Sequence, residues 1–291
     1  MNTSATTGSA RIALADDTEL AAHFKFGENW GRLLPAVDET RVAAAVQDIV
    51  TFIGSRSLAG LSFLDVGCGS GLSSLAAFRL GATPITSVDI DPLNIRNLEN
   101  LRRRFAVPED ARWQAFTASI LEPGSAPLKP ADIVYSWGVL HHTGAMWRAI
   151  DNCAALVNPG GLLYLMLCRD AWCAPMWRRI KRSYTRGGRL WQGCLARGFA
   201  GLLLTGLMLK GRNPLRVMRD YAKSGRGVSW YVDVVDWVGG YPFEYTSPQQ
   251  LIAYLKDRGF RLLNISPDAG DKPFGLFGTG DHRYLFRRVR S

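Results

Sequence analysis

Asp65, Gly67, Gly69 and Gly71 stand together in Phe63-Leu64-Asp65-Val66-Gly67-Cys68-Gly69-Ser70-Gly71, where an apolar run gives way to glycines at alternate positions. Glycine lets backbone pass close to a ligand and take left-handed conformations, and a carboxylate can accept from an ammonium or a hydroxyl group. The spacing excludes two ligand classes. A dinucleotide fingerprint, G-x-G-x-x-G, needs its third glycine five positions after the first, and Leu72 stands there. A phosphate-cradling loop needs Gly-Lys-Ser/Thr, which is absent. A phosphate-free ligand fits better.

A second acid, Asp89, ends the next apolar run in Ser87-Val88-Asp89-Ile90-Asp91, with Asp91 a near competitor. Two adjacent histidines, His141 and His142, follow the stretch Ala131-Asp132-Ile133-Val134-Tyr135-Ser136-Trp137-Gly138-Val139-Leu140. A histidine near its reference pKa of about 6.5 can accept a hydroxyl proton at neutral pH, so His142 is the candidate general base and His141 the second. Asp170, just beyond another apolar run, is the carboxylate to watch.

These residues need elements to position them. Val42, Val46, Ile49, Val50 and Ile53 have helical spacing behind an Asp38 cap, with Gly54 as a stop. Strands are predicted at Leu61 to Val66, Ile85 to Ile90, Trp113 to Ala118, Ile133 to Trp137 and Gly161 to Leu167. Helices fall between them at Leu72 to Leu80, Leu93 to Phe105 and Trp147 to Leu156, and the turn Asn158-Pro159-Gly160-Gly161 precedes the fifth strand. A helix at Pro248 to Arg258, capped by Ser247, and strands at Phe260 to Ile265 and Arg283 to Val289 close the chain. Such alternation predicts a parallel sheet wound by right-handed crossovers, which places the loop and both histidines at the carboxyl ends of strands, where open sheets bind ligands.

An acid two residues before a G-x-G-x-G loop, an acid at the second strand end, the fourth-strand segment and the Asn158 to Gly161 turn occur in one order. In that order they resemble the class I S-adenosylmethionine-dependent methyltransferases, in the small-molecule branch similar to the ubiquinone-pathway enzymes. The resemblance covers residues 60 to 168. It implies a Rossmann-like, seven-stranded, mostly parallel sheet with helices on both faces, and S-adenosyl-L-methionine as cofactor. By the same resemblance Asp65 and Gly67 meet the methionine end and Asp89 the ribose, and the cofactor set extends to Cys68, Gly69, Gly71, Ile90, Ser119, Ile120 and Trp137. The family often carries an acid after the third strand for the adenine amino group. Here Ala118-Ser119-Ile120 stands there, leaving adenine to Ser119, backbone and apolar packing. The magnesium-using branch needs acids after the fourth strand, where this chain has Ser136 and Trp137, so no metal is expected.

The domains follow: residues 1–37 as a lead with an aromatic lid segment, Phe24 to Trp30; 38–167 as the cofactor-binding core; 168–246 as a helical, basic, aromatic-rich insertion after the fifth strand; and 247–291 completing the core. The insertion is expected to hold two helices and no core of its own. Net charge is +10, and 168–226 carries 14 Lys or Arg against Asp170 and Asp220, leaving 21 cations against 23 acids elsewhere. An anionic acceptor, small or lipid-linked, should therefore meet the insertion, and peripheral membrane contact is a further expectation. The longest apolar run, Phe199 to Leu209, has 11 residues, too few to span a bilayer, which takes about 20. Five cysteines without a CxxC pair and a polar start without a signal peptide point to the cytoplasm.

O-methylation is the simplest reaction. Carbon methylation of an isoprenyl diphosphate, with the basic insertion on the pyrophosphate, is an alternative. A third is an RNA-directed methyltransferase or binding module, against which stands the lack of OB, KH or RRM motifs. Asp233, Asp236 and Glu244, between the aromatics of 225–244, offer hydrogen bonds to an acceptor.

Overall fold

The computed structural model describes residues 37–224, 230–266 and 280–290. The expected aromatic lid segment, Phe24 to Trp30, lies outside them. The first helix, α1 (Glu39–Ile53), starts where the Asp38 carboxylate accepts the Arg41 N–H and stops at Gly54, whose φ of +78° is left-handed. From there strands and helices alternate: β1 (Phe63–Val66), α2 (Leu72–Arg79), β2 (Ile85–Asp89), α3 (Pro92–Arg104), β3 (Trp113–Thr117), β4 (Ala131–Trp137), α4 (Met146–Ala155) and β5 (Val157–Cys168). After the insertion come α9 (Pro248–Lys256), β6 (Phe260–Ser266) and β7 (Asp281–Arg288).

The seven strands form one sheet in the order β3-β2-β1-β4-β5-β7-β6. β1 to β5 run parallel, and β7 enters antiparallel between β5 and β6. This is the Rossmann-like sheet expected from the alternation. Strand residues alternate between its faces: Phe63 joins the cluster under α1, α2 and α3, while Leu64 and Val66 join the cluster under α4 and α9. Both faces are covered, which is why the central strands are nearly continuous apolar runs. The Asn158 to Gly161 segment is a bulge inside β5 rather than a turn before it. The register jumps there from Ala131↔Val157 to Ile133↔Leu162, Gly160 has a φ of +81°, and Asn158 Nδ2 donates to Asp132 Oδ1 at 2.9 Å.

The insertion differs from expectation in helix number and in having an apolar cluster of its own. Its helices are α5 (Ala174–Arg186), α6 (Arg189–Leu209), α7 (Pro214–Ser224) and α8 (Trp230–Gly239). Tyr184, Ala196, Ala200, Trp230, Val234 and Val238 are buried together among α5, α6 and α8. A second cluster, Cys168, Cys173, Ala174, Trp177 and Phe243, joins the insertion to the end of β5. The apolar run at 199–209 is only the second half of α6, a helix of 21 residues that is long and apolar enough to cross a membrane by length and composition. The chain adds ten less apolar residues, Arg189 to Gly198, to the same helix, and counting apolar residues alone misses them.

Gly67, Gly69 and Gly71 all have positive φ, at +73°, +54° and +87°. A Cβ on Gly71 would sit 2.7 Å from Leu98 Cγ, whereas one on Gly69 would meet nothing within 4 Å. Gly71→Ala therefore combines a strained dihedral with overpacking against α3 and should lower the free energy of unfolding by about 2 to 4 kcal/mol. Gly69→Ala carries the dihedral alone, about 1 to 2 kcal/mol. Urea denaturation of both variants checks this, and equal losses would show that Leu98 gives way freely.

Candidate functional site

The glycine loop is fastened to β2. Gly67 and Cys68 both donate to the Val88 carbonyl, at 2.8 and 3.0 Å. The Asp89 carboxylate accepts the Gly69 N–H on Oδ2 and the Asp91 N–H on Oδ1, each at 2.9 Å. Burial raises the Asp89 pKa above the ordinary carboxylate range, against the lowering effect of these bonds. Asp91, its competitor in the sequence, is the cap of α3 and accepts the Leu93 N–H at 2.8 Å. Between them Ile90 stands 69% exposed, an apolar side chain on the rim of a carboxylate-lined loop.

Asp65 lies beneath the loop, 2% exposed. Its Oδ2 accepts the Ser74 hydroxyl at 2.5 Å, Ser74 and Ser87 share a bond of 2.7 Å, and Trp113 Nε1 donates to Ser87 at 2.9 Å. Ser74 spends its one proton on Asp65, so Ser87 donates to Ser74 and the chain of bonds runs from Trp113 to the carboxylate. Burial, with a contribution from nearby Asp89, raises the Asp65 pKa to about 7.

Along the third-strand exit, Ser119 Oγ accepts the Leu121 N–H at 3.2 Å. The Ile120 side chain is buried in the core below the sheet, and its carbonyl accepts from Asn152 at 2.8 Å. Ile120 thus supports the turn from within, three residues beyond the end of β3, with its side chain packed into the cluster under α4. Trp137 is half-buried against the α1 to α3 cluster, and the neighbouring Ser136 hydroxyl donates to the Val66 carbonyl at 3.0 Å, tying β4 to β1. Cys68 is buried, and burial pushes its thiol well above the ordinary range.

His141 and His142 form a 3-10 turn with Leu140 beyond β4, their rings 4.2 Å apart between centroids. His142 Nδ1 lies 2.6 Å from the Pro242 carbonyl. A carbonyl only accepts, so Nδ1 carries the proton and the lone pair of the neutral ring is on Nε2. Gly240 permits this packing, because a Cβ there would lie 3.0 Å from His142 Cε1. His141 is buried with Nδ1 unpartnered, and burial holds its pKa well below the ordinary value, so it is neutral.

The segment after α8 binds the insertion to these strand ends. Glu244 N–H donates to the His141 carbonyl at 2.9 Å, its Oε2 accepts the Met146 N–H at 2.9 Å, and Asp170 N–H donates to the Thr246 carbonyl at 3.0 Å. Asp170 itself is exposed, in a surface depression with Ala171, Trp172 and Pro175. Burial raises the Glu244 pKa to about 7, so this side chain, read from sequence only as a hydrogen-bonding group, is a titrating neighbour of the histidines. Lys181 is missed by sequence reasoning altogether. It is 1% exposed, donates to the Trp237 carbonyl, and lies 4.4 and 4.8 Å from the Trp237 and Phe243 ring centroids. Burial lowers its pKa to about 8. The signal for it was spacing, because 177, 181 and 184 are the buried stripe of α5, which Arg178, Arg179 and Arg182 conceal.

The loop fits S-adenosylmethionine. Space opens above Gly69 where a Cβ would stand, carboxylates suit an ammonium and ribose hydroxyls, and Ile90 offers an apolar face to an adenine ring.

A carboxyl whose folded pKa exceeds its unfolded value binds more protons when folded, so its contribution to stability falls as pH rises from about 4 to about 7. Buried neutral His141 has the opposite sign, its unfolded form taking up the extra proton at low pH. The expected observable is thus a difference: the melting temperature of Asp65→Asn should gain on the parent chain as pH rises from 5 to 8. A constant gap would show that Asp65 is an ordinary ionised carboxylate in the folded state.

The methyltransferase-domain family matches residues 64–163, from β1 into β5. Over 112 residues the chain is 35% identical to the ubiquinone biosynthesis O-methyltransferase of Methylobacterium sp. (strain 4-46), covering 38% of this chain and 43% of that protein. Over 114 residues it is 34% identical to the ribosomal protein L11 methyltransferase of Azotobacter vinelandii, covering 39% of this chain and 36% of that protein. The chain matches less than half the length of these curated relatives, and their names give different acceptors. Among solved structures, magnesium protoporphyrin IX methyltransferase from Synechocystis PCC 6803 with bound S-adenosylmethionine superimposes with a TM-score of 0.53 at 14% identity, over 96% of this chain and 99% of that one. The 1,6-didemethyltoxoflavin-N1-methyltransferase of Burkholderia thailandensis gives 0.51 at 14% identity, over 96% and 93%. The sheet order, the glycine loop and the matched segment lead to one conclusion: the chain carries a class I S-adenosylmethionine-dependent methyltransferase domain.

Proposed function

We propose that this protein methylates a hydroxyl group of a small or lipid-linked, anionic metabolite, with His142 as the general base. The observation that carries the reading is the bond from His142 Nδ1 to the Pro242 carbonyl at 2.6 Å, which leaves Nε2 as the proton acceptor at the carboxyl end of β4. The O-methyltransferase name borne by several relatives supports the same reaction class.

Asp89, Ile90, Ser119 and the backbone of Gly67 to Gly71 would hold the cofactor, with Asp65 stabilising its ammonium from beneath the loop. When bound, S-adenosylmethionine supplies an electrophilic methyl group on a sulfonium. His142 accepts the hydroxyl proton on Nε2, and the imidazolium so formed keeps its Nδ1–H on the Pro242 carbonyl, an acceptor that favours the charged ring. Neutral His141 and the aromatic faces of Phe243 and Trp237 exclude water beside it, which strengthens every charge interaction at the site. The chain's task is otherwise alignment. A second reading, carbon methylation, is favoured by Glu244, a carboxyl of pKa about 7 whose N–H meets the His141 carbonyl and which could remove a proton from carbon.

Calorimetry with S-adenosylhomocysteine should give micromolar affinity for the parent chain and a loss of roughly 10- to 150-fold for Asp89→Ala, from charge-assisted bonds of about 1.5 to 3 kcal/mol. Unchanged affinity would remove Asp89 from the ribose role. With tritiated cofactor and a panel of phenolic and polyprenyl-linked acceptors, His142→Ala should keep cofactor affinity within a few-fold while kcat drops at least about 100-fold. A drop below about tenfold, with Glu244→Gln the more damaging change and the label on carbon, would turn the assignment to the second reading.

A further inference from the structure

α6 is unusual for a helix on a folded domain. It is apolar enough for a membrane, yet only 17% of its most apolar 18-residue window is buried. Its inner face packs Ala196 and Ala200 against Tyr184 of α5 and Trp230 and Val234 of α8. The outward stripe runs Trp191, Cys194, Gly198, Leu202, Thr205, Leu209, residues three or four apart and all exposed, with Leu202 60% and Leu209 84% accessible. No acid occurs in its 21 residues, and its two charges are Arg189 and Arg197. Exposed cations flank both ends, Arg182 and Arg186 before it, Lys210, Arg212, Arg216 and Arg219 after it. α7 continues the surface with exposed Leu215.

We propose that α6 and the start of α7 dock onto an anionic lipid bilayer, with α6 lying in the plane of the interface. Leucine and tryptophan flanked by arginine are the composition that sinks into the headgroup boundary and pairs with acidic lipid. Charge selects this occupant. A second copy would bring two surfaces of the same sign together, and a stripe whose one ring is Trp191, with leucines at Leu202 and Leu209, gives successive bases of a nucleic acid no run of stacking platforms. An orientation across the bilayer would strip α5 and α8 from the inner face of α6 and expose the buried Tyr184, Trp230 and Val234 cluster, so the helix lies flat. None of the stripe's residues belongs to the glycine loop or to the turn that carries His142, and the inference stands whether or not oxygen is the methylated atom.

The test is flotation of the full chain with vesicles of phosphatidylcholine alone or mixed with phosphatidylglycerol. Binding should require the anionic lipid and weaken between about 0.1 and about 1 M salt, as the screening length falls from about 10 to about 3 Å. Leu202→Glu with Leu209→Glu should lower the bound fraction at least about tenfold, and Arg212→Glu with Arg216→Glu comparably, while calorimetric affinity for S-adenosylhomocysteine stays unchanged. Leu209→Glu alone, at the last residue of the helix, serves as the check if the double variant does not fold. Equal binding to both vesicle types, or none, would overturn the proposal. So would a solution dimer that Leu209→Glu dissociates, or a steeply salt-dependent complex with RNA and none with vesicles.

Discussion

The carboxylate of Asp89 holds the cofactor half of this protein in shape. It takes one N–H from the glycine loop after β1 and one from the turn into α3, so two segments meet on one buried side chain. A buried backbone N–H needs a partner, and Gly67 finds the Val88 carbonyl of β2, whereas the Gly69 N–H needs a side chain. Gly69 finds Asp89. The loop can then stay open above Gly69 while Gly67 and Gly71 close against Val139 and Leu98. Three glycines at alternate positions thus divide their work, two admitting close packing and one leaving room for a ligand.

The proposed acceptor half depends on a different joint, the segment from Tyr241 to Thr246. Its backbone bonds both to the turn after β4 and to the end of β5, and its Pro242 carbonyl fixes the tautomer of His142. The insertion therefore sets the tautomer of the histidine proposed as the base. Lys181, reaching from α5 to the Trp237 carbonyl between two aromatic faces, anchors the same region. A buried lysine costs desolvation, which its depressed pKa registers, and the carbonyl and ring faces offset part of that cost. Core and insertion meet where the chemistry would be.

That division matches the reach of the similarity to known proteins. The matched segment ends in β5 at residue 163, before the insertion begins. Relatives that share it carry different acceptors in their names, as expected if acceptor choice resides in the parts that are not shared. The exposed apolar stripe of α6 and its cationic flanks also lie wholly outside it.

Sequence alone determined the order of strands and helices outside the insertion, the caps at Asp38 and Ser247, and the glycine loop with its excluded ligands. These are local matters, set by periodicity, by side chains that reach their own backbone, and by glycine's freedom at positive φ. The positions of Asp89 and His142 at strand ends followed from the same alternation. Only the tertiary structure decided that Ile120 faces the core, that Asp91 is spent on capping α3, and that Glu244 and Lys181, 63 residues apart, both lie beside the histidines. Nor could composition reveal that α6 is largely uncovered, because an apolar helix reads alike whether it is buried or bare. Exposure, tautomer and pKa are properties of what surrounds a group, and those surroundings come from distant parts of the chain.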